Sequence, residues 1–412
     1  MSATSLSPVF ASRAAEIPAP ATVEVPSAED LRSEFLLDPD IVFLNHGSFG
    51  ACPRPVFEVY QAWQRELERQ PVAFLGRRFP DLMRAARAHL GRAISCAPDD
   101  VVFVPNATHG VNVVAHSLAL GPGDEVLTSD HEYGACDRAW RLATRKTGAT
   151  YRAVPIDAPL TTHAAFVDAF WAAVGPRTRV IFLSHITSPT GVIFPVAEIC
   201  RRARAAGILT VIDGAHAPGQ LPLDMEAIGA DAYTGNLHKW PCAPKGAAFL
   251  YVRRELQPRI EPLVVSWGFE PEPAFWPYDS PFVARHEWTG TADPAAYLSV
   301  PAALDFQRDR HWDAVRARCH RLARETRARL TALPGVAALH PDDDAWYAQM
   351  IAVTLPPLDA VAVKGRLYDD FGIEVPLVAW NARALLRVSV QGYNTHGDID
   401  ALVAAMEVVL GV

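Results

Sequence analysis

Three groups in this sequence are spaced to do chemistry together. Lys239 lies in the loop Thr234-Gly-Asn-Leu-His-Lys-Trp240, and Asp213 precedes it by 239 − 213 = 26 residues, at the end of the apolar run Leu209–Ile212. Upstream, Val101–Val104 leads into Asn106-Ala-Thr-His-Gly-Val-Asn112, which opens a helix. An ionised carboxylate directly after Ile and Val is costly unless a cation pairs with it. Free N–H groups at a helix N-terminus, joined by the Thr108 hydroxyl, suit a phosphate. An amine, a buried acid and an anion site match the needs of pyridoxal 5′-phosphate (PLP). That cofactor takes a lysine for its Schiff base, a carboxylate that keeps its pyridine nitrogen protonated, and a phosphate pocket.

The elements around these groups have a consistent rhythm. Short apolar or β-branched runs occur at Val101–Val104, Glu125–Thr128, Val180–Ser184, Leu209–Ile212 and Ala248–Val252. Helical spacing occupies Val111–Leu120, Ala164–Val174 and Val196–Ala206 between them. Such alternation predicts an α/β fold with a mostly parallel sheet covered on both faces. Ligands of these sheets bind beyond the carboxyl ends of the strands. The segments that follow the runs are rich in polar groups: Asn106–Asn112, Ser129-Asp-His-Glu-Tyr133, His185-Ile-Thr-Ser188 and Asp213–His216, joined by the Lys239 loop. Five such loops point to one site. Two amphipathic helices, Phe57–Arg69 and Phe79–Ala93, come before this region. After Pro301 the pattern changes to helix (His311–Leu333), strand (Ala348–Leu355), helix (Leu358–Phe371), strand (Ala384–Val390) and helix (Ile399–Val409), which reads as a smaller α+β domain. The expected organisation is a flexible arm at 1–26, a large cofactor-binding domain at 27–300 and a small domain at 301–412, with the start of the large domain free to pack on the small one. Trp267–Trp288 reads as a long irregular connection.

With 38 Lys and Arg against 46 Asp and Glu, the formal net charge is −8, which argues against a general nucleic-acid binder. No run of about 18 apolar residues suggests a membrane span. The six cysteines form no C-x-x-C pair and read as reduced, mostly buried thiols, so a cytoplasmic protein is expected. Asp130, His131 and Glu132, with His109, His116 and His185, show no recognised metal-ligand spacing, so no metal is expected.

The sequence resembles the class V aminotransferase family of PLP-dependent enzymes, and within it the isopenicillin N epimerase-like branch. The markers are Phe43-Leu-Asn-His-Gly-Ser-Phe-Gly50, Phe74-Leu-Gly-Arg-Arg78, Asp213-Gly-Ala-His216, His238-Lys239 and Arg387-Val-Ser-Val-Gln-Gly-Tyr-Asn394. The resemblance implies fold type I, with a seven-stranded sheet in the large domain, and a homodimer that shares its active sites. It implies Lys239 as the Schiff-base lysine and Asp213 as the partner of the pyridine nitrogen. Thr108, with the backbone of Ala107 and His109, would bind phosphate, joined by His238. Tyr133 would stack on the ring, with His216 and Ser188 near its phenolic oxygen. Thr291 matches a residue that reaches the phosphate from the neighbouring subunit. Arg387 would grip a substrate α-carboxylate, Asn45, His46 and Ser48 would line the substrate side, and Arg77 or Arg78 would bind a distal carboxylate. Each residue also has a structural alternative. Lys239 could be a surface lysine, Asp213 a helix cap, Tyr133 core packing, His216 and His238 satisfied structural histidines, Arg387 a surface salt-bridge partner, and Arg77 and Arg78 solvent-facing helix charges.

The cofactor leaves the reaction open. From an external aldimine, loss of the Cα proton gives a quinonoid carbanion. Its reprotonation at Cα is epimerisation, reprotonation at C4′ is transamination, and loss of a β-group is lyase chemistry. The resemblance favours epimerisation, with a C–S lyase or an aminotransferase as the alternative and a non-catalytic PLP-fold protein behind both. Cysteine desulfurases need a thiolate on a small-domain loop, and the corresponding stretch Gly372–Arg383 has no Cys.

Overall fold

The structure, a computed structural model, describes residues 25–270 and 280–412. Most of the expected arm and the middle of the Trp267–Trp288 connection lie outside the described residues. No helix among the described residues is long and apolar enough to cross a membrane.

The N-terminal segment serves the C-terminal part of the chain. Helix Ala28–Glu34 starts on a capping box in which Ser27 and Asp30 satisfy each other's backbone N–H groups. Phe35, at its end, packs edge-on against Phe306 and Tyr393. Strand β1 (Val42–Phe43) then pairs in parallel with a distant short strand, Ile373–Glu374, and Asn45 bridges Ser389.

Seven strands form the central sheet: β2 (Val101–Val104), β3 (Glu125–Ser129), β4 (Thr150–Val154), β5 (Thr178–Ser184), β6 (Leu209–Asp213), β7 (Ala232–Asn236) and β8 (Ala248–Val252). Their order is β2-β8-β7-β6-β5-β3-β4. Only the pairings of β8, with β2 and β7, are antiparallel. Successive residues enter opposite layers. Val102, Val180, Phe182 and Val211 join one apolar cluster, while Phe103, Ile181, Leu183 and Ile212 join the other. A sheet buried on both faces needs apolar residues at both parities, which explains the near-continuous runs.

A second sheet follows, of order β12-β13-β10-β9, with β9 (Ala337–Ala338), β10 (Met350–Thr354), β12 (Leu377–Trp380) and β13 (Arg383–Ser389) all antiparallel. The partner of β1 is β11 (Ile373–Glu374). Helix Trp312–Thr331 packs on β10. The hairpin between β12 and β13 turns at Asn381 and Ala382, both with left-handed backbones (φ 45° and 59°). Its tip reaches the large sheet, where Trp380 Nε1 donates to the Asp130 carbonyl at 2.9 Å and Asn381 Nδ2 to Asp130 Oδ2 at 2.6 Å.

Several elements differ from expectation: β4, an edge strand with mostly uncovered residues, carries no apolar run, and the helix Gly134–Thr147 and β12 were not anticipated. The helix expected from Val111 begins at Ala107, because Asn106 caps it by accepting from the His109 N–H at 2.9 Å. Thr234–Asn236, expected as loop, ends β7. Gly235 and Asn236 are residue types depleted in strands, and pairing with β6 and β8 overrides that.

Candidate active site

The loops after β2, β3, β5, β6 and β7 converge on one cavity of about 480 Å³, lined among others by Thr108, Tyr133, Ser188, Asp213, His216, His238 and Lys239. The main chain of Lys239 is fixed first. Its carbonyl accepts from the Cys242 N–H at 2.9 Å, in a turn that holds Cys242 at φ 65°, and lies 3.0 Å from His46 Nε2. Gly50 lies against the same turn, with φ 71°, and a Cβ there would stand 1.9 Å from the His238 carbonyl oxygen. The Lys239 amine sits 3.1 Å from His216 Nε2. Burial, aided by the Arg387 guanidinium and opposed by Asp213, pushes that amine down to about 7. Burial also keeps His216 neutral, well below the usual imidazole range. The indole of Trp240 can only donate, and it donates to His216 Nδ1 at 3.4 Å. The His216 proton is therefore on Nε2, where it faces the Lys239 amine, and the lowered pKa gives that amine a substantial neutral fraction near pH 7.

Asp213, at the carboxyl end of β6, is 2% exposed. Its Oδ1 accepts from the Ala215 N–H at 2.9 Å and its Oδ2 from the Cys136 thiol at 3.4 Å. Burial raises its pKa, and no salt bridge to it is found among the described residues. A pyridinium nitrogen supplies the cation this acid lacks.

The anion end differs in detail from the expected backbone cradle. The Ala107 N–H donates to Asn236 Oδ1 at 2.8 Å and the His109 N–H to its Asn106 cap, so neither is free for a phosphate. The Thr108 N–H and hydroxyl have no protein partner among the described residues, and they occupy the first turn of an 11-residue helix. His238 commits Nδ1 to the Ala247 carbonyl at 3.0 Å, and burial holds it near 4, which leaves Nε2 as its uncommitted atom. The residues present thus fit PLP: a buried lysine whose pKa is pushed down to about 7, a buried acid without an ion-pair partner among the described residues, and a free helix N–H with a hydroxyl.

On the other side a second hollow of about 510 Å³ adjoins, sharing Ser48, Tyr133, Ser188 and Lys239 and adding Arg387, Trp380 and Pro376. Arg387, in β13, is 5% exposed and is lowered by burial only to about 10, so it stays charged at neutral pH. One terminal nitrogen donates to the Ser188 carbonyl at 2.6 Å and the other to Ser48 Oγ at 3.0 Å. Its Nε is buried without an acceptor. A guanidinium with unused donors on the cavity wall is suited to a carboxylate.

The remaining expected residues fall elsewhere. His46 does not line the cavity. It is fully buried between the Lys239 carbonyl and the Tyr393 hydroxyl, 2.9 Å from its Nδ1, where its ring braces the lysine turn. Asn45 also turns away, donating to Glu374 Oε1 at 2.7 Å and accepting from Ser48 Oγ at 2.5 Å. Arg77 and Arg78 occupy a π-helical turn, Phe74–Arg78, outside the cavity of the single chain; Arg78 pairs with Glu66 at 2.5 Å. Thr291 is exposed and likewise outside it. Glu374, Cys136 and Asn236 brace the site without having been anticipated. Glu374 and Cys136 carry no motif, and Asn236 lies inside the recognised loop but had no role predicted.

A doubly layered, mostly parallel sheet with a buried lysine, acid and anion pocket at its carboxyl edge defines a fold type I PLP-dependent enzyme. The chain belongs to the class V aminotransferase family (Aminotransferase class-V), whose pattern matches residues 52–402. It is 38% identical to an isopenicillin N epimerase of Streptomyces clavuligerus over 93% of this chain and 98% of that protein. A putative L-cysteine desulfhydrase of Oryza sativa subsp. japonica is 30% identical, over 91% of this chain and 85% of its own. Among solved structures, a C-DES mutant with glycine covalently linked to its PLP cofactor superposes with a TM-score of 0.78 at 23% identity, covering 92% of this chain and 98% of that one.

Proposed function

We propose that the protein is an epimerase acting at the Cα of an amino acid or amino-acid-like substrate. The observation that carries this is the pairing of the Lys239 amine and the Arg387 guanidinium on one cavity. The likeness to isopenicillin N epimerase over nearly the whole chain supports the outcome. PLP, when bound, supplies the electron sink that makes the Cα proton labile. In this reading Arg387, steadied by Ser188 and Ser48, holds the substrate α-carboxylate and so aims the Cα–H bond. Lys239 moves the proton at Cα on its own face of the ring, and inversion requires a proton delivered from the opposite face. Asp213 holds the pyridine nitrogen, Thr108 and His238 the phosphate, His216 the phenolic edge, and Tyr133 offers its ring to the cofactor face. Removing a positioned acid–base group costs roughly 10²–10⁴-fold in rate, so Lys239→Ala should fall at least that far and lose the absorbance band of lysine-bound cofactor. An unchanged band would refute the lysine assignment.

The experiment that separates outcomes is incubation of L-amino acids and aminoadipyl peptides in heavy water. Deuterium at Cα with both epimers recovered supports epimerisation, whereas a keto acid signals transamination. Pyruvate with ammonia and sulfide would establish C–S lyase chemistry. That second reading is favoured by the desulfhydrase relatives; the absence of Cys from Gly372–Arg383 counts against a desulfurase and leaves C–S lyase chemistry open.

A homodimer with shared sites accounts for Thr291, Arg77 and Arg78, which are exposed and outside the single chain's cavity; in that assembly Thr291 reaches the partner's phosphate and an arginine the distal end of its substrate. Division at about residue 300 into cofactor-binding and small domains fits the two sheets, with the segment before Pro53 attached to the small one. All six cysteines are free, which supports a reducing, cytoplasmic location.

A further inference from the structure

The acid beneath the pyridine site is held by an unexpected donor. Cys136 lies on the helix Gly134–Thr147, one turn past Tyr133, so the helix that offers Tyr133 to the cavity also places a thiol against Asp213. The Sγ–Oδ2 distance is 3.4 Å, and the only other hydrogen bond to this carboxylate among the described residues is the Ala215 N–H. The surroundings are dry: Cys136 is 0% exposed and shares its apolar cluster with Val104, Val126, Phe182 and Val211. In such a medium a weak donor to an ionised acceptor gains strength. Burial and the neighbouring acids hold the thiol well above its ordinary range, so it stays protonated and donating at any working pH.

We propose that Cys136 is a positioning residue for the cofactor: its S–H bond keeps the Asp213 carboxylate ionised and turned toward the pyridine nitrogen. The inference rests on the assignment of Asp213 to that nitrogen. Without the thiol, Asp213 holds a proton more readily and the ring nitrogen loses positive character. A less positive ring withdraws less charge from the lysine–cofactor linkage, which then keeps its own proton to higher pH.

The test uses purified holoenzyme and needs no substrate. The visible cofactor band is titrated with pH, and PLP affinity is measured by fluorescence, in wild type, Cys136→Ala, Cys136→Val and Cys136→Ser. Ala and Val, which lack a donor, should raise the titration midpoint by about half a pH unit or more and weaken PLP binding about 3- to 10-fold, the range of one lost hydrogen bond. Ser, which keeps a donor, should stay near wild type. If Ala, Val and Ser share one midpoint, shifted or not, the thiol acts through packing alone and the inference falls. Either donor-less variant suffices if the other fails to fold. Absence of any cofactor band in wild type would instead overturn the PLP reading itself.

Discussion

Asn45 and Glu374 are 329 positions apart in the chain, yet Asn45 Nδ2 donates to Glu374 Oε1 at 2.7 Å. The contact begins a relay. Ser48 Oγ donates to Asn45 Oδ1, and Arg387 donates to Ser48 Oγ at 3.0 Å. The parallel pairing of β1 with β11, with Phe43 opposite Glu374, brings the ends together. Arg387 is thus steadied by a residue that lines neither hollow of the site.

Glu374→Ala should therefore act on substrate binding. One lost hydrogen bond is worth about 0.5–1.5 kcal/mol, so KM for the amino-acid substrate should rise about 2- to 10-fold, with kcat nearly unchanged. Glu374→Gln, which keeps an acceptor, should stay near wild type. Binding of the corresponding amine without a carboxylate should not respond in either variant. An equal loss for amine and amino acid would place the effect on the fold rather than on Arg387.

The apoenzyme should capture PLP with a pH profile set by Lys239. Its amine is pushed down to about 7 from an ordinary 10.5. The neutral amine attacks the aldehyde, so the capture rate should climb through pH 7 and level above it. A midpoint above pH 9 would refute the burial argument. Stability follows the same linkage. Between pH 7 and 10.5 the unfolded chain binds the proton that the folded chain has lost, so the apoenzyme gains stability as pH rises across that window. Lys239→Met should flatten this slope in denaturant titrations.

Gly50 is the sharpest steric constraint near the lysine turn. A side chain there meets both a left-handed backbone and the His238 carbonyl oxygen at 1.9 Å. Gly50→Ala should destabilise the protein by about 1–3 kcal/mol, the scale of local backbone strain, and should also weaken PLP retention, because the atoms that must move precede Lys239. Thermal melting of apo and holo forms checks both. Equal loss in the two forms would show that the strain is relieved away from the site.

What was legible in the sequence is what repeats. The β-branched runs and the polar loops after them marked four of the five strand ends that line the cavity, with Asp213, Lys239 and Thr108 on its walls and Arg387 in the adjoining hollow. Illegible were contacts made only by folding. Cys136 reads as an ordinary core cysteine, Glu374 as a strand residue, and β7 as loop, because pairing and burial decide those roles. His46 lay in a recognisable motif, yet motif membership did not reveal whether its ring faces the cavity or braces the main chain behind it.

The proposed sharing of active sites across a homodimer makes a prediction that the single chain cannot satisfy. Thr291→Asp places a negative charge where the partner's phosphate would bind, and Lys239→Ala removes the amine from its own site. Each variant alone should be inactive. In a hybrid dimer, one site combines both defects while the other keeps an intact lysine and an intact partner threonine. Random mixing of two chains in a closed two-fold dimer leaves about a quarter of all sites intact, so roughly that share of wild-type activity should return after co-refolding. Differentially tagged chains, purified over both tags, would confirm that hybrids form. If such hybrids remain inactive, Thr291 does not serve the partner's cofactor, and its exposure has another cause.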